Sequence, residues 1–302
     1  MSPLISIVMA TFNGEKYLQE QVDSLLAQNY PNLEFIFVDD ASLDRTWELL
    51  STYAATDKRI LLIQNKLNQG YRKTFEKGIL KAQGEFIALS DQDDYWLPSK
   101  ITELVNVIGD NSLVYSDSEL VDSSGNLMGK KMSDLKRQIA YSSPLMYTIG
   151  AWAPGHSMLF RKDLLSFALP VVDFVTHDYL IGFAATCANG IAYLPKPLVH
   201  YRQHDTNTIG ANLKKSSKKS ISRKERKDLI IARLNLIYER CPVGQNKEVL
   251  KKFASACTGT SLLNRIQRFQ ILYTNRQTML AYKGKSDLGN ILYCLKLLIS
   301  VF

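Results

Sequence analysis

Residues 87–98, IALSDQDDYWLP, pass from an apolar run into three aspartates within four positions, then into two aromatics and a proline. Asp91, Asp93 and Asp94 carry like charges that repel at this spacing unless a cation or strong donors compensate them. The apolar run reads as a buried strand. Its acidic end therefore falls where an open parallel α/β sheet holds its ligands, beyond the carboxyl ends of the strands.

Working outward, apolar runs alternate with helical patterns: LISIVMA (4–10), a helix near 15–28, LEFIFV (33–38), a helix near 44–55, ILLI (60–63), a helix near 71–82 and EFIALS (85–90). Leu18, Val22, Leu25 and Leu26 form a stripe at helical spacing, and the strands are apolar on successive positions, as in a sheet covered on both faces. A helix is expected from Pro98 to Ile108, a strand at 113–117 and a hairpin or loop at VDSSGNLMG (121–129). Regularity fades from about 130 to 155 and returns with HSMLFRKDLL, a helix at 177–188 and the runs 191–195 and 198–204. Beyond 229 the pattern is helical. The expected fold is α/β, a mostly parallel Rossmann-like sheet flanked by helices, with one large domain over 1–210 and a basic linker plus helical extension over 211–302.

The chain has 302 residues, 46% hydrophobic and 22% charged, enough for a substantial core. Its four cysteines show no CxxC pair or metal-ligand spacing, which suggests reduced thiols of a cytosolic protein. LISIVMA reads as a first strand rather than a secretory leader, and no run of about 18 apolar residues suggests a membrane span. The net charge of +8 is local: residues 213–228 hold eight Lys/Arg against two Asp/Glu. The remainder is nearly neutral, which argues against a nucleic-acid groove over the surface.

Acidic or polar residues follow several strands: ATFN (10–13), DDAS (39–42), SDQDD (90–94) and SD (116–117). Two carboxylates separated by one residue on a short loop can present oxygens to one hard cation, Mg²⁺ or Mn²⁺, which would in turn bind a diphosphate. The alternative is local: Asp91 capping a turn, Asp93 or Asp94 capping the helix at Pro98, and Asp39 or Asp40 capping the helix near 44.

Residues 5–46, together with SDQDDYW, HD at 177–178 and YRQH at 201–204, resemble the nucleotide-sugar glycosyltransferases of the large inverting family with the GT-A fold. The likeness covers roughly 4–210, and the Asp-x-Asp with Tyr-Trp is similar to bacterial rhamnosyltransferases of surface-polysaccharide assembly. This resemblance implies that Thr11 and Asn13 lie beside the nucleotide, Asp40 with Asp39 at the pyrimidine base, Asp91 at the ribose or metal and Asp93 on the metal. It also implies that Asp178 is the general base, with N-capping of its helix as the alternative. His204 is a candidate metal ligand and Arg202 a candidate diphosphate contact. Tyr95 and Trp96 are either an aromatic wall or core. Trp152, Gly155 and His156 are possible acceptor contacts.

The resemblance makes the expected donor dTDP-rhamnose, with UDP-sugars second, and the acceptor a hydroxyl of a growing cell-surface polysaccharide or lipid-linked saccharide. The basic run and the apolar end ILYCLKLLISVF (291–302) suggest peripheral attachment to an anionic membrane surface on the cytoplasmic side. A nucleotidyltransferase would need a fuller phosphate loop than ATFNGEKY, and a nucleic-acid binder would leave the acidic strand ends unexplained. No GxGxxG follows a strand and no GxxxxGK[ST] occurs, which disfavours a dehydrogenase or P-loop enzyme.

Overall fold

A computed structural model describes residues 2–204 and 222–299; most of the basic run, 213–221, and the last three residues lie outside the described residues. The strands are β1 (Ile5–Thr11), β2 (Leu33–Asp39), β3 (Ile60–Gln64), β4 (Phe86–Ser90), β5 (Tyr95–Trp96), β6 (Leu113–Val121), β7 (Leu127–Lys131), β8 (Met158–Arg161) and β9 (Ile191–Arg202). They form one sheet in the order β3-β2-β1-β4-β8-β6-β9-β5, with β7 added to β6. The first four strands are parallel. Beyond them the sheet is mixed: β8 runs antiparallel to both β4 and β6, while β6 and β9 are parallel.

Strand periodicity sends alternate side chains to opposite faces, and two separate cores result. Ile5, Ile7 and Met9 of β1 join Phe35 and Phe37 of β2 in a core with α1 (Glu15–Leu26), α2 (Thr46–Thr56) and, through Ile101 and Leu104, a later helix α4. Val8, Ile36, Val38, Ile87 and Leu89 face the other way, against α3 (Tyr71–Ile79). α4 (Lys100–Ile108) begins two residues after Pro98 and is followed by the one-turn helices α5 (Met132–Leu135) and α6 (Leu165–Ala168), then α7 (His177–Cys187).

The C-terminal region comprises α8 (Arg223–Arg240), α9 (Gln245–Thr258), α10 (Leu262–Thr274), α11 (Arg276–Met279) and α12 (Asp287–Ile299). Leu234, Ile237, Phe253, Leu272 and Cys294 from these helices share one continuous core with Tyr147, Phe160 and Ala184. The helices are thus packed into the body. α8 starts with a reciprocal cap, in which Glu225 N donates to Ser222 Oγ and Ser222 N to Glu225 Oε2. Its first residues Arg223, Lys224 and Arg226 are exposed. No described helix is long and apolar enough to cross a membrane.

The two apolar runs at 191–195 and 198–204 merge into the single strand β9, whose register against β6 slips between Ser116 and Asp117, where Leu194 and then Pro197 are the partners. Proline cannot donate to the ladder, so Pro195 and Pro197 are accommodated at an irregularity.

Candidate functional site

The carboxyl ends of β1, β2 and β4 converge on a cavity of about 730 Å³, closed from the far side by 152–156 and the start of α7. Thr11, Asn13, Asp40, Asp91, Asp93, Trp152, Gly155, His156, Asp178 and His204 all line it. Asp39, Trp96 and Arg202 do not.

Where the loops after β1 and β2 meet the cavity, they are fixed by side chains bonding to backbone. Asn13 adopts a left-handed φ of 49°, tolerated best by Asn among ordinary side chains. Its Oδ1 accepts from Leu43 N at 2.8 Å, while its backbone N–H donates to Ser42 Oγ. Asp40 accepts from Asn65 Nδ2 (2.7 Å), Gln69 N (2.9 Å) and Gly70 N (2.8 Å), a donor set that holds its carboxylate at the cavity wall. Asp39 is committed elsewhere: Thr11 Oγ1, Ser42 Oγ and N, and Gln64 Nε2 all donate to it, and it is wholly buried. It corrects the expectation of a base contact, because its role is to tie the turn after β2. Asp117 likewise turns away and accepts from Ser133 Oγ and N and from Ser118 N, anchoring α5.

The acidic loop has two layers. At the cavity, His204 Nε2 lies 2.9 Å from Asp93 Oδ2. Beneath, Asp91, Asp94 and His156 bring one potential ligand atom each to within 4.8 Å of one another. Burial, followed by the charges of Asp93 and Asp178, raises the Asp91 carboxyl to about 7. Burial and then Asp93 and Asp91 hold the Asp94 carboxyl well above its ordinary range, although Arg202 N donates to its Oδ1 at 3.0 Å. Asp94 Oδ2 is buried with no hydrogen-bond partner. An all-carboxylate and imidazole donor set of this kind, with one oxygen unsatisfied, suits a hard divalent cation. Neither Asp93 nor Asp94 caps α4, whose cap position is Ser99.

Lys100 is the buried counter-charge. Its Nζ donates to the His156 carbonyl at 2.6 Å and sits 3.0 Å from the Trp96 ring centroid, and it is fully buried. Burial pulls its ammonium well below the ordinary lysine value while Asp94 and Asp91 oppose this. Trp96 is correspondingly core: its ring is fully buried among the residues packed on α1 and α4 and cannot meet an acceptor. Tyr95 stacks on His200, with centroids 5.6 Å apart, at the sheet edge.

Arg202 also departs from expectation. Its Nε donates to the Asp93 carbonyl at 2.8 Å, its Nη2 to Glu20 Oε2, and its guanidinium covers Tyr17 at 4.8 Å. These contacts lock the acidic loop from behind, with the side chain only 2% exposed, rather than presenting charge to a diphosphate in the cavity.

Opposite the acidic loop, Asp178 stands in the first turn of α7, beyond the cap position Thr176. Its Oδ1 accepts from Tyr179 N at 2.8 Å. Gly155 of the 152–156 segment lies against this wall: a Cβ there would meet Asp178 Cβ at 3.4 Å, an ordinary contact. His177 stacks on Phe75 with centroids 4.2 Å apart, and burial lowers its imidazole to about 4, so the ring is neutral. His156 pairs with Ser118 Oγ at 2.8 Å and stacks on Tyr201, and burial lowers it to about 3. It therefore backs the acidic loop as well as lining the cavity.

Sequence reasoning missed Lys100, Gln92 and the packing of Tyr71 and Phe75 on His177. A lysine in the first turn of a helix reads as surface, and nothing local reveals that it is buried.

The family model Glycosyl transferase family 2 matches residues 6–166. An uncharacterized glycosyltransferase of Rickettsia typhi, RT0329, is 31% identical over 224 residues, covering 70% of this chain and 68% of the relative. Among solved structures, S. aureus TarS 1-349 in complex with UDP-GlcNAc superposes with a TM-score of 0.61 at 18% identity, over 97% of this chain and 90% of that one. The mannosyltransferase PcManGT of Pyrobaculum calidifontis, in complex with GDP-Man and Mn²⁺, gives 0.52 at 15% identity, over 100% and 81%. At such identities the structural likeness concerns the fold, a GT-A-like mixed sheet with flanking helices.

Proposed function

The chain belongs to glycosyl transferase family 2, and from that premise we propose an inverting, metal-dependent transferase that moves a sugar from a pyrimidine nucleoside diphosphate to a saccharide hydroxyl. One observation carries the reading: Asp178 and the Asp91–Asp93 loop enter one cavity from opposite walls.

In this reading Thr11, Asn13 and Asp40 hold the nucleoside, and Asp91, Asp93 and His204 hold a divalent cation, Mn²⁺ or Mg²⁺. The bound cation supplies positive charge that offsets the charge developing on the leaving diphosphate. Asp178 takes the proton of the acceptor hydroxyl, whose oxygen forms the new bond to the anomeric carbon on the face opposite the nucleotide. The bond from that carbon to the phosphate oxygen breaks, its electron pair leaving with the diphosphate, so configuration inverts. Neutral His177 beside Asp178 leaves the carboxylate as the acid–base group of that wall.

The resemblance of the Asp-x-Asp with Tyr-Trp to bacterial rhamnosyltransferases supports dTDP-rhamnose as donor, with UDP-sugars second, and a polysaccharide or lipid-linked acceptor. The exposed Arg223, Lys224 and Arg226 support attachment to an anionic membrane surface on the cytoplasmic side. The test is a thermal-shift panel of UDP, dTDP and GDP with and without Mn²⁺, followed by nucleotide release from the matching sugars. Metal-dependent stabilisation by a pyrimidine diphosphate is expected, and an equal response to every polyanion would overturn the reading. Sedimentation with anionic vesicles, wild type against Arg223, Lys224 and Arg226 changed to Glu, tests the membrane contact.

A further inference from the structure

Two cations lie over aromatic residues of the cavity that holds Asp178, and the transfer chemistry above leaves them without a task. Lys136 follows α5 and holds its Nζ 4.5 Å from the ring centroid of Trp152, a cavity-lining residue. Arg72, on α3, holds its guanidinium 4.8 Å from the ring centroid of Tyr71, which also lines the cavity and meets His177 edge-on at 6.0 Å. Among the described residues neither forms an ion pair with a carboxylate, and Arg72 Nε is shut off from solvent with no hydrogen-bond partner. A shielded guanidinium nitrogen without a partner is costly unless a ligand completes it.

Desolvation lowers the Lys136 ammonium and Asp178 opposes that, while Arg72 helps burial hold His177 neutral. Neither side chain is among those that line the cavity; each lies over a residue that does, Lys136 over Trp152 and Arg72 over Tyr71. The indole of Trp152 adds a flat face of the kind on which sugar rings pack, with the ammonium above it.

We propose that the acceptor carries an anionic group, a carboxylate or a phosphate ester, near the hydroxyl that Asp178 deprotonates, and that Lys136 and Arg72 bind this group while Trp152 supports the adjoining ring. The inference rests on the transferase reading and names the class of its acceptor. Lys136 and Arg72 are specificity determinants here, since they touch the acceptor and not the reacting atoms.

The experiment uses the full chain with whichever nucleotide sugar the donor panel selects. Methyl glucuronide is compared with methyl glucoside, and glycerol phosphate with glycerol, by nucleotide release above the acceptor-free rate and by saturation-transfer NMR where turnover is low. The charged member of at least one pair is expected to be preferred about tenfold, the scale of one charge-assisted contact, and which pair responds tells carboxylate from phosphate. Lys136→Met and Arg72→Met should each erase most of that preference through KM, leaving kcat and donor affinity near wild type. Equal use or binding of neutral and charged compounds would overturn the inference. So would a loss of donor affinity in both variants, which would assign the two cations to the diphosphate. If no nucleotide binds with metal before acceptor is added, the transferase reading itself fails and takes this inference with it.

Discussion

Gln92 and the backbone of Phe12 exchange two hydrogen bonds: Phe12 N donates to Gln92 Oε1 at 2.8 Å, and Gln92 Nε2 donates to the Phe12 carbonyl at 3.1 Å. The pair staples the acidic loop after β4 to the loop after β1, and it needs Gly14 beside it, where a Cβ would fall 2.5 Å from Gln92 Oε1. Gln92→Ala should raise the donor KM about tenfold with a stability loss of only about 1 kcal/mol, as the bonds are exposed. Donor titration and thermal melts separate the two, and an unchanged KM would show that the loops keep register without the staple.

Asp93 faces the cavity beside His204, whereas Asp94 is wholly buried behind it. Asp93→Asn should abolish Mn²⁺-dependent nucleotide binding, measured calorimetrically, while Asp94→Asn keeps most of it. The reverse result would move the cation to the inner cluster of Asp91, Asp94 and His156.

Asp178→Asn preserves the size and hydrogen-bonding reach of the side chain and removes its basicity. Donor affinity should stay normal while turnover falls by about 10² or more, the scale of general-base catalysis. A rate near wild type would take Asp178 out of that role.

Lys100 is buried beside Asp91 and Asp94 and donates to the His156 carbonyl, so Lys100→Met removes a favourable charge and leaves that oxygen unpaired, at a cost of about 1–3 kcal/mol. The double variant with Asp94→Asn should recover a large part of that loss in chemical denaturation. Strict additivity of the two changes would mean that the pair is not coupled.

Burial and the neighbouring carboxylates raise Asp91 to about 7, against an ordinary value near 3.9. An acid whose folded-state value lies above its unfolded one favours the fold while protonated, and that contribution is lost as pH rises between these two values. In chelator, the melting temperature of Asp91→Asn should therefore gain on wild type from about pH 4 to 7. Parallel curves would contradict the raised value.

The first half of the fold was legible because β1, β2 and β4 are covered on both faces, and continuous apolar runs record that directly. The acidic strand ends were legible for the same reason: charge placed just past a buried strand has few explanations. Legibility fails where tertiary partners decide. The four residues of β8 carry no sign of their antiparallel insertion between β4 and β6. Pro195 and Pro197 split β9 into what reads as two runs. The orientation of Arg202 depends on Glu20, far away in the chain, and the burial of Trp96 depends on Lys100 lying over its ring.

The placement of β8 also governs how the molecule is assembled during synthesis. Until Met158–Arg161 has emerged from the ribosome, β4 and β6 each present an open edge to any other extended chain nearby. β6 must further await Ile191–Arg202, and the shared core must await the helices after residue 222. A nascent chain of this protein thus keeps unpaired strand edges until its last third is made.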